Sequence, residues 1–218
     1  LRRSAAFASG LVEIQDLSSQ RVARLARAAP GETLLDYCAG GGGKALAFAA
    51  HQGGAHQSGA YQGGAYQGEA GRIFAHDAAP ARMGDLPKRA ERAGARIVLC
   101  PPAALPQSCD CVFVDAPCSG SGAWRRNPDA KWSLRAAELD RLVETQARVL
   151  DAAARHVPVG GRLVYATCSI LHAENEAQIG SFLDRRPDFE VVDRLRFLPD
   201  GPGDGFFAAA MRRFSPSG

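Results

Sequence analysis

Residues Thr33 to His51 read TLLDYCAGGGGKALAFAAH, and the order of residue types in this stretch decides the fold. Thr33 to Ala39 is an apolar run of strand length. It stops at Gly40-Gly41-Gly42-Gly43-Lys44, and a run of small apolar residues suited to a helix follows. Strand, glycine turn and helix in that order open an α/β nucleotide-binding unit, because glycine lets the chain turn sharply and approach a ligand closely.

The loop alone admits three ligands. A phosphate-cradling loop needs G-x-x-x-x-G-K-[ST]. Cys38 stands at the first glycine position and Ala45 at the hydroxyl position, so that pattern fails twice. The dinucleotide fingerprint G-x-G-x-x-G/A is met by Gly40, Gly42 and Ala45, but four consecutive glycines meet it easily. The third ligand is S-adenosylmethionine. Main-chain atoms of the turn would face its methionine part, and an acid at the end of the second strand would take the ribose hydroxyls. Asp77 stands at that place and supports either cofactor.

Working outward, Ile14 to Ala29 reads as a helix. Ser18 or Ser19 is its expected N-cap, Val22, Leu25 and Ala29 recur at helical spacing, and Pro30-Gly31 ends it. On the other side the α/β rhythm continues. RIFAHD (72–77), RIVLC (96–100), CVFVDAP (111–117) and RLVYATC (162–168) read as strands. Residues 79–94 form a basic helix with an interruption expected at Pro87. Residues 133–157 form a long amphipathic helix with Leu139, Leu142, Val143, Ala147 and Leu150 on one side, and 173–187 a further one. FEVVD (189–193) and GFFAAAMRRF (205–214) read as a hairpin at one edge. The expectation is a doubly wound, mostly parallel seven-stranded sheet, with ligands at the strand carboxyl ends.

His51 to Ala70 interrupts this rhythm with four pentads of the form [His/Tyr]-Gln-x-x-Ala. Units so short, polar and glycine-rich bury no face, so they read as a low-complexity surface insertion. Removing them restores an ordinary spacing between the glycine loop and Asp77.

The chain has 218 residues, 46% apolar and 22% charged, which are globular values, and a net charge of +3 permits a polyanion without demanding one. No run is long enough for a membrane helix. Leu1-Arg2-Arg3-Ser4 has no initiator Met and leads into no secretory apolar run, so it reads as a fragment edge. The six cysteines lack the paired spacing of a zinc site and read as free thiols in a reducing cytoplasm.

Two of those cysteines sit at strand ends, in DAPCSGSGAWRRNPDAKW (115–132) and in VYATCS (164–169). In the first, Trp124 and Trp132 interleave with Arg125, Arg126 and Lys131. Aromatics among cations suit single-stranded nucleic acid, which binds by stacking and phosphate neutralisation. Either tryptophan could equally be core, and the cations could be a solvated face.

These residues carry a family resemblance over nearly the whole chain. It runs through Gln15-Asp16-x-Ser18-Ser19, Asp36-x-Cys38-Ala39, Gly42-Gly43-Lys44, Asp77, Asp115-Ala116-Pro117-Cys118-Ser119-Gly120, Arg126-x-Pro128-Asp129-x-Lys131-Trp132, Thr167-Cys168-Ser169 and Gly205-Phe206-Phe207. The chain resembles the Sun-type (RsmB-like) RNA cytosine-5 methyltransferases. The resemblance implies a class I methyltransferase core at 31–218, with residues 1–30 packed on it as a helical segment. It implies S-adenosylmethionine as cofactor and ribosomal or transfer RNA as substrate, acted on by a cytoplasmic monomer. It also implies Cys168 as nucleophile, Cys118 as the thiol assisting release, and Asp115 and Lys44 around the base. The cofactor residues it implies are Cys38, Ala39, Gly40, Gly41, Gly42, Gly43, Lys44, Asp77, Arg82, Cys100, Asp115 and Pro117. Trp124, Arg125, Arg126 and Lys131 would meet RNA. No metal is expected.

The chain departs from the family pattern in two places. The family loop C-A-A-P-G-G-K-[ST] is here Cys38-Ala39-Gly40-Gly41-Gly42-Gly43-Lys44-Ala45. The added glycine freedom costs on the order of 1 kcal/mol when a ligand orders the loop. Where the family tends to place an Asp near adenine, Cys100-Pro101-Pro102 stands. A relative that binds RNA or cofactor without turnover, and a nicotinamide-dependent oxidoreductase, are the rival readings. The family's amino-terminal RNA-binding domain has no counterpart in the sequence.

Overall fold

A computed structural model describes residues 3–52 and 72–215. The repeat, from residue 53 on, falls outside the described residues. Two short helices, α1 (Ala5–Ala8) and α2 (Leu17–Ala23), precede strand β1 (Leu34–Asp36) and helix α3 (Gly43–Gln52). Then come β2 (Ile73–Ala75), α4 (Leu86–Arg92), β3 (Ile97–Leu99), β4 (Cys111–Asp115), α5 (Asp129–Ser133) and α6 (Ala136–Ala154). Strand β5 (Arg162–Thr167), α7 (Glu176–Arg185), β6 (Phe189–Phe197) and β7 (Phe206–Arg213) complete the chain.

The seven strands form one sheet in the order β3-β2-β1-β4-β5-β7-β6. The first five pair in parallel, and β7 runs antiparallel between β5 and β6. The order reverses between β1 and β4, so a crevice opens beyond their carboxyl ends. Apolar runs in the central strands follow from burial on both faces. Val112 and Val114 of β4 point to the face covered by Leu150, Ala153 and Phe182 of α6 and α7. Cys111 and Phe113 point to the other face, under Val22, Leu25 and Phe48. The Phe48 and Phe113 rings meet at 5.0 Å between centroids, a contact worth about 1 kcal/mol beyond area burial.

Several expected boundaries move. The N-cap of α2 is Asp16, not Ser18 or Ser19: its carboxylate accepts from Ser19 N at 3.0 Å, and both serines are buried inside the helix. The helix stops well before Pro30, because Arg27 takes a left-handed conformation after a single 3₁₀ turn. Pro87 does not interrupt α4 but sits in its first turn, where its missing N–H costs nothing. The break falls at Gly84-Asp85, between a 3₁₀ turn and the helix. Strand β6 runs four residues past the expected Asp193, to Phe197, because it pairs with the full length of β7.

Candidate active site

Strand β4 ends at Asp115 and β5 at Thr167, side by side in parallel register. Ala116-Pro117-Cys118 continue from β4, and Cys168 follows β5. Their sulfurs lie 3.5 Å apart. Three backbone segments hold this geometry. Gly122 N donates to Cys168 O at 2.9 Å, and Gly205 N donates to Gly122 O at 2.9 Å. A Cβ on Gly122 would lie 2.1 Å from the Gly205 carbonyl oxygen, so glycine is required at 122.

The two thiols hold their protons differently. The two sulfurs share one hydrogen bond, which pushes Cys118 well up and holds Cys168 below the ordinary thiol value. Burial and the Asp115 charge oppose the effect on Cys168, and the Lys44 ammonium assists it. Lys44 Nζ pairs with Asp115 Oδ2 at 2.6 Å and lies 5.2 Å from the Phe206 ring centroid. Its side chain is only 8% exposed, against 33% for Asp115, so the cation is fixed inside while the carboxylate reaches the crevice.

Asp36 lies behind this pair. No side chain donates to either of its carboxyl oxygens, and burial, with the Asp115 charge next, raises its pKa to about 7 against the pull of Lys44 and the nearby Cys38 N–H. Cys38 is half-buried above it. Burial and the charges of Asp36, Asp115 and Asp77 push its thiol up, so it stays protonated.

The glycine turn is tied to the end of β2. Ala39 N donates to His76 O at 2.8 Å, and Gly40 N donates to Asp77 Oδ2 at 3.0 Å. Gly40 and Gly42 have positive φ, and a Cβ on Gly42 would overlap Leu86 at 2.2 Å. The other oxygen of buried Asp77 accepts from Ala79 N at 2.9 Å, and exposed Arg82 pairs with the carboxylate at 3.2 Å. Arg89 reaches the Gly41 carbonyl across Gly43, beside Gln15. Asp77 keeps unused acceptor capacity on Oδ1, beside a glycine turn that Leu86 and Arg89 pack against. These residues fit a nucleoside-bearing cofactor. Cys100 is buried, with its sulfur turned to Val98 O at 3.7 Å, so its thiol points back into its own strand. Pro117 contributes its carbonyl to Gln146 Nε2 at 3.0 Å.

The four residues expected at RNA separate into two groups. Trp124 is half-buried, and its indole nitrogen lies inside without a partner. The structure commits the guanidiniums of Arg125 and Arg126 to Asp204, which is 0% exposed, and Arg125 also donates to the Gly201 and Pro202 carbonyls. These two arginines therefore anchor a loop, with one carboxylate offsetting half of their charge. Lys131 remains exposed, 5.5 Å from the ring centroid of Trp132, which is 77% exposed.

Sequence reasoning missed three residues. Glu174 and Gln146, both fully buried, meet the serines and the proline beside the two cysteines. Asp204 accepts the two arginines while its N–H donates to the Asp16 cap at 3.1 Å. The acid in Gly-Asp-Gly-Phe-Phe was the available signal for Asp204; Glu174 offered none. A cavity of about 360 Å³ lined by Arg24, Arg27, Ala28 and His51 lies before β1, at the opposite end of the strands from the thiols. Among the described residues no His, Cys, Asp or Glu cluster could hold a metal ion, all six cysteines are free, and no helix could cross a membrane.

Comparisons with known proteins place the chain in a family. A family model described as 16S rRNA methyltransferase RsmB/F matches residues 23–216. Ribosomal RNA small subunit methyltransferase B of Vibrio cholerae serotype O1 is 34% identical over 95% of this chain and 47% of its own length. The protein of the same name from Xylella fastidiosa (strain Temecula1) is 35% identical over 94% of this chain and 48% of its own. The chain therefore spans about half the length of the curated relatives it matches. The crystal structure of PH0851 superposes with a TM-score of 0.84 at 30% identity, covering 96% of this chain and 49% of that one. NSun6 from Pyrococcus horikoshii, solved with SFG, shares the fold at a TM-score of 0.81 and 23% identity, over 99% of this chain and 56% of that one. The chain belongs to the RsmB/F family of 16S rRNA methyltransferases.

Proposed function

We propose that this chain methylates carbon 5 of a cytosine in RNA, ribosomal RNA by preference, through a covalent bond between Cys168 and the base. The observation that carries the reading is the pair of sulfurs at 3.5 Å with opposite proton affinities. Carbon 5 of cytosine is a poor nucleophile until a thiolate adds at carbon 6. The sulfur held below the ordinary thiol value belongs to Cys168, the thiolate donor of the pair.

Asp115, braced from behind by Lys44, would accept from the amino group of the extruded base or from its protonated ring nitrogen and help keep the base protonated for attack. Thiolate addition makes carbon 5 an enamine carbon. Bound S-adenosylmethionine supplies the sulfonium methyl group as electrophile. Gly40 to Gly43 would face its methionine part, and Asp77, with Arg82 beside it, would take the ribose hydroxyls. Carbon 5 then loses its proton, the 5,6 double bond reforms, and the Cys168 sulfur leaves as thiolate.

Cys118 fits the closing step. Its proton is held chiefly by the hydrogen bond to Cys168, then by burial and the Cys168 charge. Once Cys168 is bonded to carbon, that charge is gone and the hydrogen bond is weakened. Cys118 then gives its own proton to water in the crevice, and the resulting thiolate takes the proton that leaves carbon 5. Exposed Trp132 and Lys131 supply a stacking face and a cation for the flanking strand.

The test is incubation with labelled S-adenosylmethionine and unmodified ribosomal and transfer RNA, followed by mapping of the labelled base. Cys168→Ala should give no methylation and no adduct, and Cys118→Ala a covalent RNA adduct that persists through denaturation. An adduct from the first variant and none from the second would reverse the roles. No heat of binding with millimolar S-adenosylmethionine would favour a relative that has lost turnover.

A further inference from the structure

The two residues that follow the cysteines, Ser119 and Ser169, converge on one buried group. Glu174 Oε1 accepts from Ser119 N at 2.8 Å and from Gln146 Nε2 at 2.9 Å. Its Oε2 accepts from the Ser119 hydroxyl at 2.5 Å and from the Ser169 hydroxyl. The Glu174 carbonyl accepts from Tyr165 OH at 2.7 Å, which ties the residue down to β5. Each hydroxyl has a single proton. Since Ser119 and Ser169 both give theirs to Glu174, Ser121 must donate to Ser169 across their 2.9 Å contact. The Ser121 oxygen accepts from Ile170 N at 2.9 Å, and the Ser169 oxygen from Leu171 N at 3.0 Å. The network therefore has one direction, and Glu174 is the acceptor where it ends.

We propose that Glu174 is a positioning residue that sets the spacing of the Cys118 and Cys168 sulfurs by clamping the residue after each. It touches neither sulfur. It acts through two loops that Ser121 also bridges, through Ser169 and Ile170 N, but Glu174 is the carboxylate that takes the hydroxyls of both Ser119 and Ser169. Without it, the loops keep the backbone bond from Gly122 to Cys168 and the Ser121 contacts to Ser169 and Ile170 N, but Ser119 loses both of its ties to the carboxyl group. The thiol-to-thiolate hydrogen bond depends steeply on distance and angle, so the looser pair gives Cys168 a less stabilised thiolate. The proposal rests on the methyl-transfer reading only for its consequence, since thiol reactivity can be read without RNA or cofactor.

The experiment is alkylation of the full chain with iodoacetamide across pH, followed by peptide mass spectrometry of Cys168. Glu174→Ala should move the midpoint of the Cys168 profile up by about one pH unit, toward that of Cys118→Ala. Glu174→Gln should move it less, because its amide oxygen still accepts from Ser119 N and Gln146 while its nitrogen faces the two serine oxygens. Cys109 and Cys111, fully buried, report whether the fold is intact by staying unmodified. If Glu174→Ala exposes them, the Ser119→Ala/Ser169→Ala double variant, which severs both hydroxyl ties, carries the same test. An unchanged Cys168 midpoint in any folded variant overturns the proposal and leaves the methyltransferase reading standing. A shifted midpoint supports the clamp whether or not methyl transfer is found.

Discussion

Cys168, Cys118 and Asp36 are three ionisable groups near one crevice, and the neighbours of each determine its state. For Asp36 the consequence reaches beyond the site. Its pKa rises from 3.8 to about 7 on folding, so the folded state holds a proton that the unfolded state has released. Its contribution to stability is present below the unfolded value and is lost as pH rises toward about 7. Asp36→Asn keeps the shape and removes the titration. Its advantage over the parent should grow by about 3 kcal/mol between pH 5 and pH 8, a shift of several degrees in Tm for a chain of this size. Thermal melts at the two pH values check this; parallel curves would show that Asp36 is ionised throughout. At this scale the cysteines and Asp115 were legible because their motifs are contiguous. Glu174 was not, since a Glu in Ala-Glu-Asn-Glu-Ala reads as an acid near the start of a helix. What defines it are partners 28 and 55 positions away.

Elements were legible in kind and less so at their ends. The strands, the glycine turn and the long helices lie where periodicity puts them. The cap of α2 does not, because Asp, Ser and Thr satisfy a helix start about equally and the sequence offered three of them in Asp16, Ser18 and Ser19. The choice was tertiary: the second oxygen of Asp16 accepts from Asp204 N in the loop before β7. Pro87 is a similar case, a helix starter read as a breaker. Among the glycines, 122 has a purpose visible only in three dimensions, since its missing Cβ leaves room for Gly205. Gly122→Ala should destabilise the chain by about 1–3 kcal/mol by thermal unfolding and slow Cys168 adduct formation. Gly94→Ala, in open space, should cost only its positive φ.

Across the whole molecule, Asp204 joins parts far apart in sequence. It links the start of α2, the loop after Cys118 and the turn into β7. Asp204→Ala should cost about 2 kcal/mol, less than a fully buried ion pair because both arginines are partly in water. It should also raise amide exchange across residues 118–126; unchanged exchange there would separate the loop from its anchor. Overall, the mostly parallel sheet and the edge hairpin were readable, because alternating strands and helices leave few topologies. Which hairpin strand faces β5 was not readable, as both carry apolar residues.

That strand order also bears on how the protein is made. Strand β5 has β4 on one side and, on the other, β7, which is translated after every other strand of the sheet. Until β7 slots in, Leu163, Val164, Tyr165 and Ala166 present a bare apolar edge, the kind of surface that recruits another unfinished chain. A polypeptide stopped before Gly205 should accordingly collect in the insoluble fraction to a greater extent than the 218-residue chain. The glycine turn, both thiols and Glu174 are all translated before that point, yet they acquire their partner loop only once Gly205 has followed them.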